Sequence, residues 1–218
     1  MCGTTMINPS ASPTAGATDS RPSAPCCGPT PWMNTALGEL GVHEYAGLNN
    51  ANPRVMEFHR SAGFTWTDDD STEDNAWCGS FVTWSLRQAG ITPANNGFRA
   101  NSYSRSTLDS SGNGWPDGKI IPRPVYGATA RKRRDGGGHV GFVAGTVPGQ
   151  PDRIAILGGN QGGQRGTAAA GGEVNVKSYP RYTGGGETFI FMVPADYNWE
   201  CCELQDYTGH VGPATTEG

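Results

Sequence analysis

The chain has 218 residues, a formal net charge of −4 and 35% hydrophobic residues, and it contains 33 glycines and 16 prolines. This length favours one domain with flanking segments, and the glycine and proline content favours short elements and loops over a helical bundle. The charge balance does not indicate a nucleic-acid partner. No apolar run approaches about 18 residues, so we expect no membrane span.

The first segment, 1–30, is rich in proline, serine, threonine, alanine and glycine. Such a composition cannot assemble a core, so we expect a flexible segment. Its start, "MCGTTMINPSASPTAGATDS", has neither a basic region nor an apolar region of the kind that a Sec signal peptide carries. We therefore expect synthesis in the cytoplasm and delivery to any outside site by another route.

Two helices are predicted next, in "TPWMNTALGELGVHEY" and in "NPRVMEFHRSAG". In the first, Thr30 is a suitable N-cap and Pro31 suits the first turn. In the second, Asn52 is the N-cap and Pro53 occupies the first helical position. The two histidines here, His43 and His59, are interpreted as surface or core-edge residues.

A third helix is predicted over 76–89, with Asp74 or Asn75 as its N-cap and Gly90 at its end. It carries a cysteine between two tryptophans, in "DNAWCGSFVTW". An apolar stripe runs along it: Cys78, Phe81, Val82, Ser85, Leu86 and Ala89.

After residue 125 the apolar period changes from 3.6 to 2. Five strands are predicted, in "VYGATARKR", "HVGFVAGTV", "RIAILGG", "EVNVKSYP" and "ETFIFMVP". Helices followed by antiparallel strands predict an α+β domain over 31–194. The last segment, 195–218, has five acidic residues and no lysine or arginine, and we expect a partly ordered acidic tail.

Three residues combine into a candidate catalytic centre. Cys78 lies in the first helical turn, where the unpaired N–H groups lower the pKa of a thiol. His139 opens an apolar strand after three glycines, and Asn160 follows the next strand, where its amide oxygen is placed to orient the imidazole. A lone cysteine in an apolar stripe is more often core filling than a nucleophile, and the histidine and asparagine favour the nucleophile.

The motifs "NAWCGSFVTWSLRQAG", "GGHVGFVAG" and "ILGGNQ", with the lead-in "PWMNTAL…NPRVMEFHR", resemble those of NlpC-type and CHAP-like cysteine peptidases and amidases. The resemblance spans residues 30–193. It implies a papain-like fold with N-terminal helices packed on a five-to-six-stranded antiparallel sheet. It also implies cleavage of an amide bond in the peptide stems of bacterial peptidoglycan, without a cofactor or a metal.

The resemblance matches Cys78 to the nucleophile, His139 to the general base and Asn160 to the polar orienting residue. The Cys78 backbone N–H is then expected to help hold the oxyanion. Three neighbours are further candidates for substrate or oxyanion binding: Trp77, Asp74 and Gln161. The chain has Ala76 where relatives often have proline, and "YGATA" where they often have a Gly-Asp pair.

The other cysteines form adjacent pairs, Cys26–Cys27 and Cys201–Cys202, apart from Cys2. Adjacent cysteines lack the C-x-x-C spacing of a zinc site, and in an oxidising compartment the two pairs would be able to bridge each other. The run "RKRR" at 131–134 fits a solvated face, an anionic-polymer contact or a nucleic-acid patch, and no site is assigned to it.

The expected partners are peptidoglycan stem peptides and, for an injected antibacterial toxin, a cognate immunity protein; we expect a monomer. A phage-type lysin is the other route to the cell wall. Two alternatives remain open. One is an acyltransferase or another amide hydrolase that uses the same cysteine and histidine; the other is a non-catalytic wall-binding module in which both are merely packed.

Overall fold

The computed structural model describes residues 27–45, 51–65, 76–134, 137–162, 172–184 and 186–213. Residues 1–26 of the predicted flexible segment therefore lie outside the description. Within the described ranges the helices precede the strands. They are α1 (Pro31–Leu37), α2 (Pro53–Ser61), α3 (Cys78–Gln88) and one 3₁₀ turn (Ala100–Ser104).

The local signals at the starts of the first two helices hold in part. Pro31 is the first residue of α1 as predicted, but the side chain of Thr30 makes no capping hydrogen bond. The side chain of Asn52 accepts a hydrogen bond from the Arg54 N–H at 2.9 Å, so it caps α2 as predicted. The third helix begins at Cys78, two residues later than predicted, and the proposed caps Asp74 and Asn75 lie outside the described residues.

In the part of the chain that the structure describes, nine strands follow the helices. They are β1 (Gly118–Ile121), β2 (Thr129–Arg134), β3 (Gly137–Val147), β4 (Gln150–Gln161), β5 (Glu173–Pro180), β6 (Tyr182–Thr183), β7 (Gly186–Glu187), β8 (Phe189–Pro194) and β9 (Gly212–Pro213). The five predicted strands correspond to β2, β3, β4, β5 and β8. The strands β1 and β9 and the small β6–β7 ribbon were not predicted.

The main sheet has the strand order β1-β8-β2-β3-β4-β5-β9. Six strands, from β1 to β5 in this order, pair antiparallel, and the two-residue β9 joins β5 in parallel. The predicted α+β class with a mostly antiparallel sheet is therefore confirmed. Because β3 and β4 lie inside the sheet, residues on them are fixed from both sides.

Helix α3 packs between the other helices and the sheet. Its side chains are buried from Cys78 to Leu86. The ring of Phe81 lies 6.4 Å from that of Phe142 on β3, and 5.5 Å from Phe58 on α2. These aromatic contacts hold the start of α3 against the sheet.

The segment predicted as an acidic tail is described as far as residue 213, where it packs on the domain. A disulfide joins Cys27 to Cys202, 175 residues apart, and Cys201 is disulfide-bonded as well. The ring of Tyr197 lies edge-on to Trp32 of α1 at 5.5 Å. Covalent and apolar contacts thus tie this segment to the start of the domain.

Candidate active site

The predicted nucleophile, Cys78, is the first residue of α3. Its side chain is only 3% exposed, and among the described cysteines it carries the thiol. The first N–H groups of an α-helix have no partner within the helix, and their dipoles favour a negative charge. The position therefore suits a thiolate or an oxyanion.

The residue before the cysteine, Trp77, is fully buried. Its indole N–H donates to Glu44 Oε1 at 2.5 Å. The six-membered ring of the indole lies against Gly159 of β4, where a Cβ atom would collide with the ring. Trp77 therefore fixes the start of α3 against β4. The structure assigns it this packing role, and its predicted contact with substrate stays a prediction.

The predicted base, His139, lies near the start of β3 and is 2% exposed. Its Nε2 is 3.2 Å from Gln161 Oε1. The imidazole also stacks on the ring of Tyr179, with centroids 6.2 Å apart and an interplanar angle of 26°. These two contacts hold the position and the plane of the imidazole.

The amide of Gln161 is oriented by its own hydrogen bonds. Its Nε2 donates to the backbone carbonyls of Asn175, Gly158 and Ile156, at 2.7, 3.2 and 3.3 Å. Carbonyl oxygens only accept, so the amide nitrogen must face them and Oε1 must face His139. The imidazole Nε2 then carries the hydrogen, which leaves the lone pair of the neutral ring on Nδ1.

A bulge in β4 decides which side chain reaches the imidazole. The pairing with β5 runs regularly to Gly158↔Asn175 and resumes at Gln161↔Glu173, so β4 has one additional residue. Asn160, at the bulge, has a φ of 55°. As a result Gln161 takes the place beside His139, and the Asn160 side-chain oxygen lies against Gly172.

The residues around Cys78 and those around His139 approach β4 at consecutive glycines. A Cβ atom on Gly158 would lie 3.1 Å from the imidazole Nε2, and one on Gly159 would meet Trp77. Both glycines belong to the end of β4 where the pairing with β5 is shifted. The imidazole and the helix start therefore contact β4 at adjacent residues, next to the bulge.

The basic run lies in an interior strand, since β2 pairs with both β8 and β3. Lys132 is directly opposite His139 in the β2–β3 pairing, and its ammonium lies 5.3 Å from the centroid of the Tyr179 ring. Arg131 donates to the side-chain oxygen of Asn101. Two of the four basic residues thus contact neighbouring polar and aromatic groups.

Sequence reasoning missed several residues of this site. Tyr179 and Asn175 occur in a strand of ordinary alternating pattern, and nothing local marks them as neighbours of His139. Glu44 follows α1 in a stretch without a motif. Gln161 was considered for substrate binding, whereas the structure places its oxygen on the imidazole. Asp74 lies outside the described residues.

Within the described residues, no group of three or more histidine, cysteine, aspartate or glutamate side chains is arranged to hold a metal ion. Among the helices described, none has the length and apolarity to cross a bilayer. Compared with known proteins, the chain matches no family model, no curated protein and no solved structure. Fold and site together define an α+β domain with a buried cysteine at a helix start and a buried, oriented histidine.

Proposed function

We propose that this chain is a cysteine peptidase or amidase that cleaves an amide bond in the peptide stem of peptidoglycan. The observation that carries the proposal is the hydrogen-bonded Gln161 amide, which presents an oxygen to His139 Nε2. A buried histidine with one fixed tautomer is what a general base requires. The proposed substrate class rests on the resemblance of the motifs around Cys78 and His139 to those of NlpC-type and CHAP-like enzymes.

In the proposed reaction, His139 Nδ1 takes the proton of the Cys78 thiol, and the sulfur attacks the carbonyl carbon of the stem amide. The N–H groups at the start of α3 stabilise the oxyanion. His139 then protonates the leaving nitrogen as the C–N bond breaks, which leaves a thioester. Water, deprotonated by His139, releases the acid and restores the thiol.

In this proposal, two residues contribute to the third catalytic role, that of orienting the imidazole. Gln161 accepts from the imidazole, and Asn160, the residue first matched to this role, adopts the left-handed conformation that turns the chain there. We propose that Gln161 orients His139 and that Asn160 contributes through the bulge. Gln161→Leu removes the acceptor and should lower the activity strongly, whereas Asn160→Gly keeps the left-handed backbone conformation and should lower it less.

The proposal requires the Cys78 sulfur and the imidazole to meet beside the bulged end of β4. This requirement is testable without any substrate. Alkylation of Cys78 by iodoacetamide, followed against pH, reports the thiolate population. If the two groups interact, His139→Ala must change the pH dependence of alkylation, whereas His43→Ala, which removes an exposed histidine, must not.

We further propose that the enzyme acts on the cell wall of a target bacterium, either as an injected toxin with a cognate immunity protein or as a phage-type lysin. The decisive experiment incubates the protein with purified muropeptides and identifies the products by mass spectrometry. We expect one stem amide to be hydrolysed, so that the summed mass of the two products exceeds that of the muropeptide by one water. This hydrolysis should be absent in Cys78→Ala and His139→Ala. Unchanged muropeptides with the native protein, or equal cleavage by Cys78→Ala, would refute the proposal.

A further inference from the structure

We infer that Lys132 and Tyr179 are positioning residues that hold the His139 imidazole neutral, so that it acts as a base from its resting state. The inference deepens the proposed function and rests on it for its catalytic consequence. The juxtaposition itself involves four neighbouring strands of described residues, β2 to β5. Lys132 belongs to the run "RKRR", to which the sequence assigns no site, and no motif in the sequence marks Tyr179.

Tyr179 acts on the imidazole in two ways. Its ring, 1% exposed, stacks on the imidazole and fixes its plane. Its hydroxyl donates to Gln161 Oε1 at 2.8 Å, the same oxygen that faces His139 Nε2 at 3.2 Å. Two donors on one oxygen weaken each other, so the hydroxyl reduces the ability of that oxygen to stabilise an imidazolium.

Lys132 acts through its charge. It is paired with His139 across β2 and β3, and the side chains of directly opposite residues lie on the same face of a sheet. The ammonium lies 5.3 Å from the centroid of the Tyr179 ring, and that centroid lies 6.2 Å from the centroid of the imidazole. The ammonium is therefore within about 12 Å of the imidazole centroid. A fixed cation at this range disfavours a second positive charge on the ring.

Other groups also pack around the imidazole, from β4, β5 and α3. From β4 the neighbour is the neutral amide of Gln161. From β5 come Tyr179 and, on the same strand face two residues earlier, Lys177, which is 5% exposed and again cationic. The titratable group of α3 at this end of the sheet is the proposed nucleophile, Cys78. Acidic side chains at this end of the sheet include Glu44, which accepts from Trp77, and Glu173, which is paired with Gln161. Lys132 is the charged residue that is paired directly with His139.

The test is the pKa of the His139 imidazole, followed by NMR in the intact protein and assigned with His139→Gln. In Lys132→Gln we expect this pKa to rise by about 0.3 to 1 unit, the range for a charge at about 12 Å in media between water and protein. Lys132→Arg keeps the charge and must keep the pKa. Lys119→Gln removes a cation on β1, three strands from β3 in the sheet order, and must leave it unchanged.

In Tyr179→Phe the stack remains and the second donor is lost, so we expect a rise of a few tenths of a unit. Unchanged or lowered pKa values in both Lys132→Gln and Tyr179→Phe would overturn the inference. So would an equal rise in Lys132→Arg, because that points to altered packing and not to charge. Because this readout needs no substrate, it is decided separately from the proposed hydrolase activity.

The catalytic consequence has its own readout. If the protein hydrolyses muropeptides, the acid limb of its pH–rate profile in Lys132→Gln must move to higher pH by the same amount as the imidazole pKa. A pKa that moves while the acid limb stays fixed would show that Lys132 sets the state of His139 but that His139 is not the base. That result overturns the inferred catalytic role of Lys132.

Discussion

Two disulfides hold the C-terminal segment. Because there are two, we predict that the loss of one changes the stability of the fold much less than the loss of both. Cys27 and Cys202 close a loop of 175 residues, and the neighbouring Cys201 is also disulfide-bonded. The partner of Cys201 lies outside the described residues, where the remaining cysteines are Cys2 and Cys26. Either partner precedes Cys27, so the second cross-link closes a loop at least as long.

The magnitude follows from the chain entropy of the unfolded state. Closing a loop of this length removes entropy worth about 5 kcal/mol at 25 °C. After Cys202→Ser the second cross-link still closes a loop of the same size, so we expect a loss below about 1 kcal/mol. The double variant Cys201→Ser/Cys202→Ser opens the loop, and we expect it to lose about 5 kcal/mol.

Urea denaturation under non-reducing conditions measures both losses, and the native protein in excess reductant should match the double variant. Cys78→Ala, which leaves both cross-links in place, is the control for the loss of a buried cysteine side chain. A loss in Cys202→Ser as large as that in the double variant would contradict the reasoning. It would show that the Cys27–Cys202 bond stabilises the local packing and not the chain entropy.

Three further predictions concern single sites. Gly159→Ala is expected to cost about 1 to 3 kcal/mol in thermal or urea unfolding, because the new Cβ collides with the buried Trp77 ring, whereas Gly186→Ala, with open space around it, should cost little. Asn52→Ala removes the cap of α2 and should cost about 1 kcal/mol, measured by urea denaturation; no loss would show that the cap is not stabilising. Burial raises the pKa of Tyr103 above its ordinary 10.0, so the unfolded state loses this proton first and stability falls as pH rises above 10. Tyr103→Phe should therefore show a smaller loss of stability between pH 8 and pH 11, and an equal loss would contradict this account.

The elements that could be predicted are those with local causes. Pro31 and Pro53 supply the fixed φ of a first helical turn, and Asn52 supplies a side-chain acceptor. The strands β3, β4, β5 and β8 have apolar residues at the period of a sheet. Each of these signals acts within a few residues, which is why the linear pattern is sufficient.

The elements that were missed depend on distant partners. The strand β1 has only four residues, "GKII", and exists because β8 offers it an edge. The packing of residues 196–213 also depends on distant partners, although the composition of this segment indicates a tail. There the disulfide from Cys27 and the contact of Tyr197 with Trp32 supply the stabilisation that the local sequence lacks.

The residues of the candidate site likewise fall into those with local sequence signals and those that depend on distant partners. Cys78 and His139 could be selected from the sequence, because a helix start and a glycine-flanked strand start are local features. The sequence analysis assigned the orienting role to Asn160, and it could not foresee the contact of Gln161 with the imidazole. That contact depends on a one-residue bulge that reverses the alternation of β4. A bulge is set by pairing with β5, so only the assembled sheet determines which side chain faces the imidazole.

What the sequence alone determined is the order of elements and the α+β class, since capping and apolar periodicity act along the chain. What only the tertiary structure decided is the set of contacts around His139: the oxygen of Gln161, the ring of Tyr179 and the ammonium of Lys132. These groups come from three strands and are separated by tens of residues. Their meeting depends on strand register and sheet order, which arise from packing of the whole domain and not from any one segment.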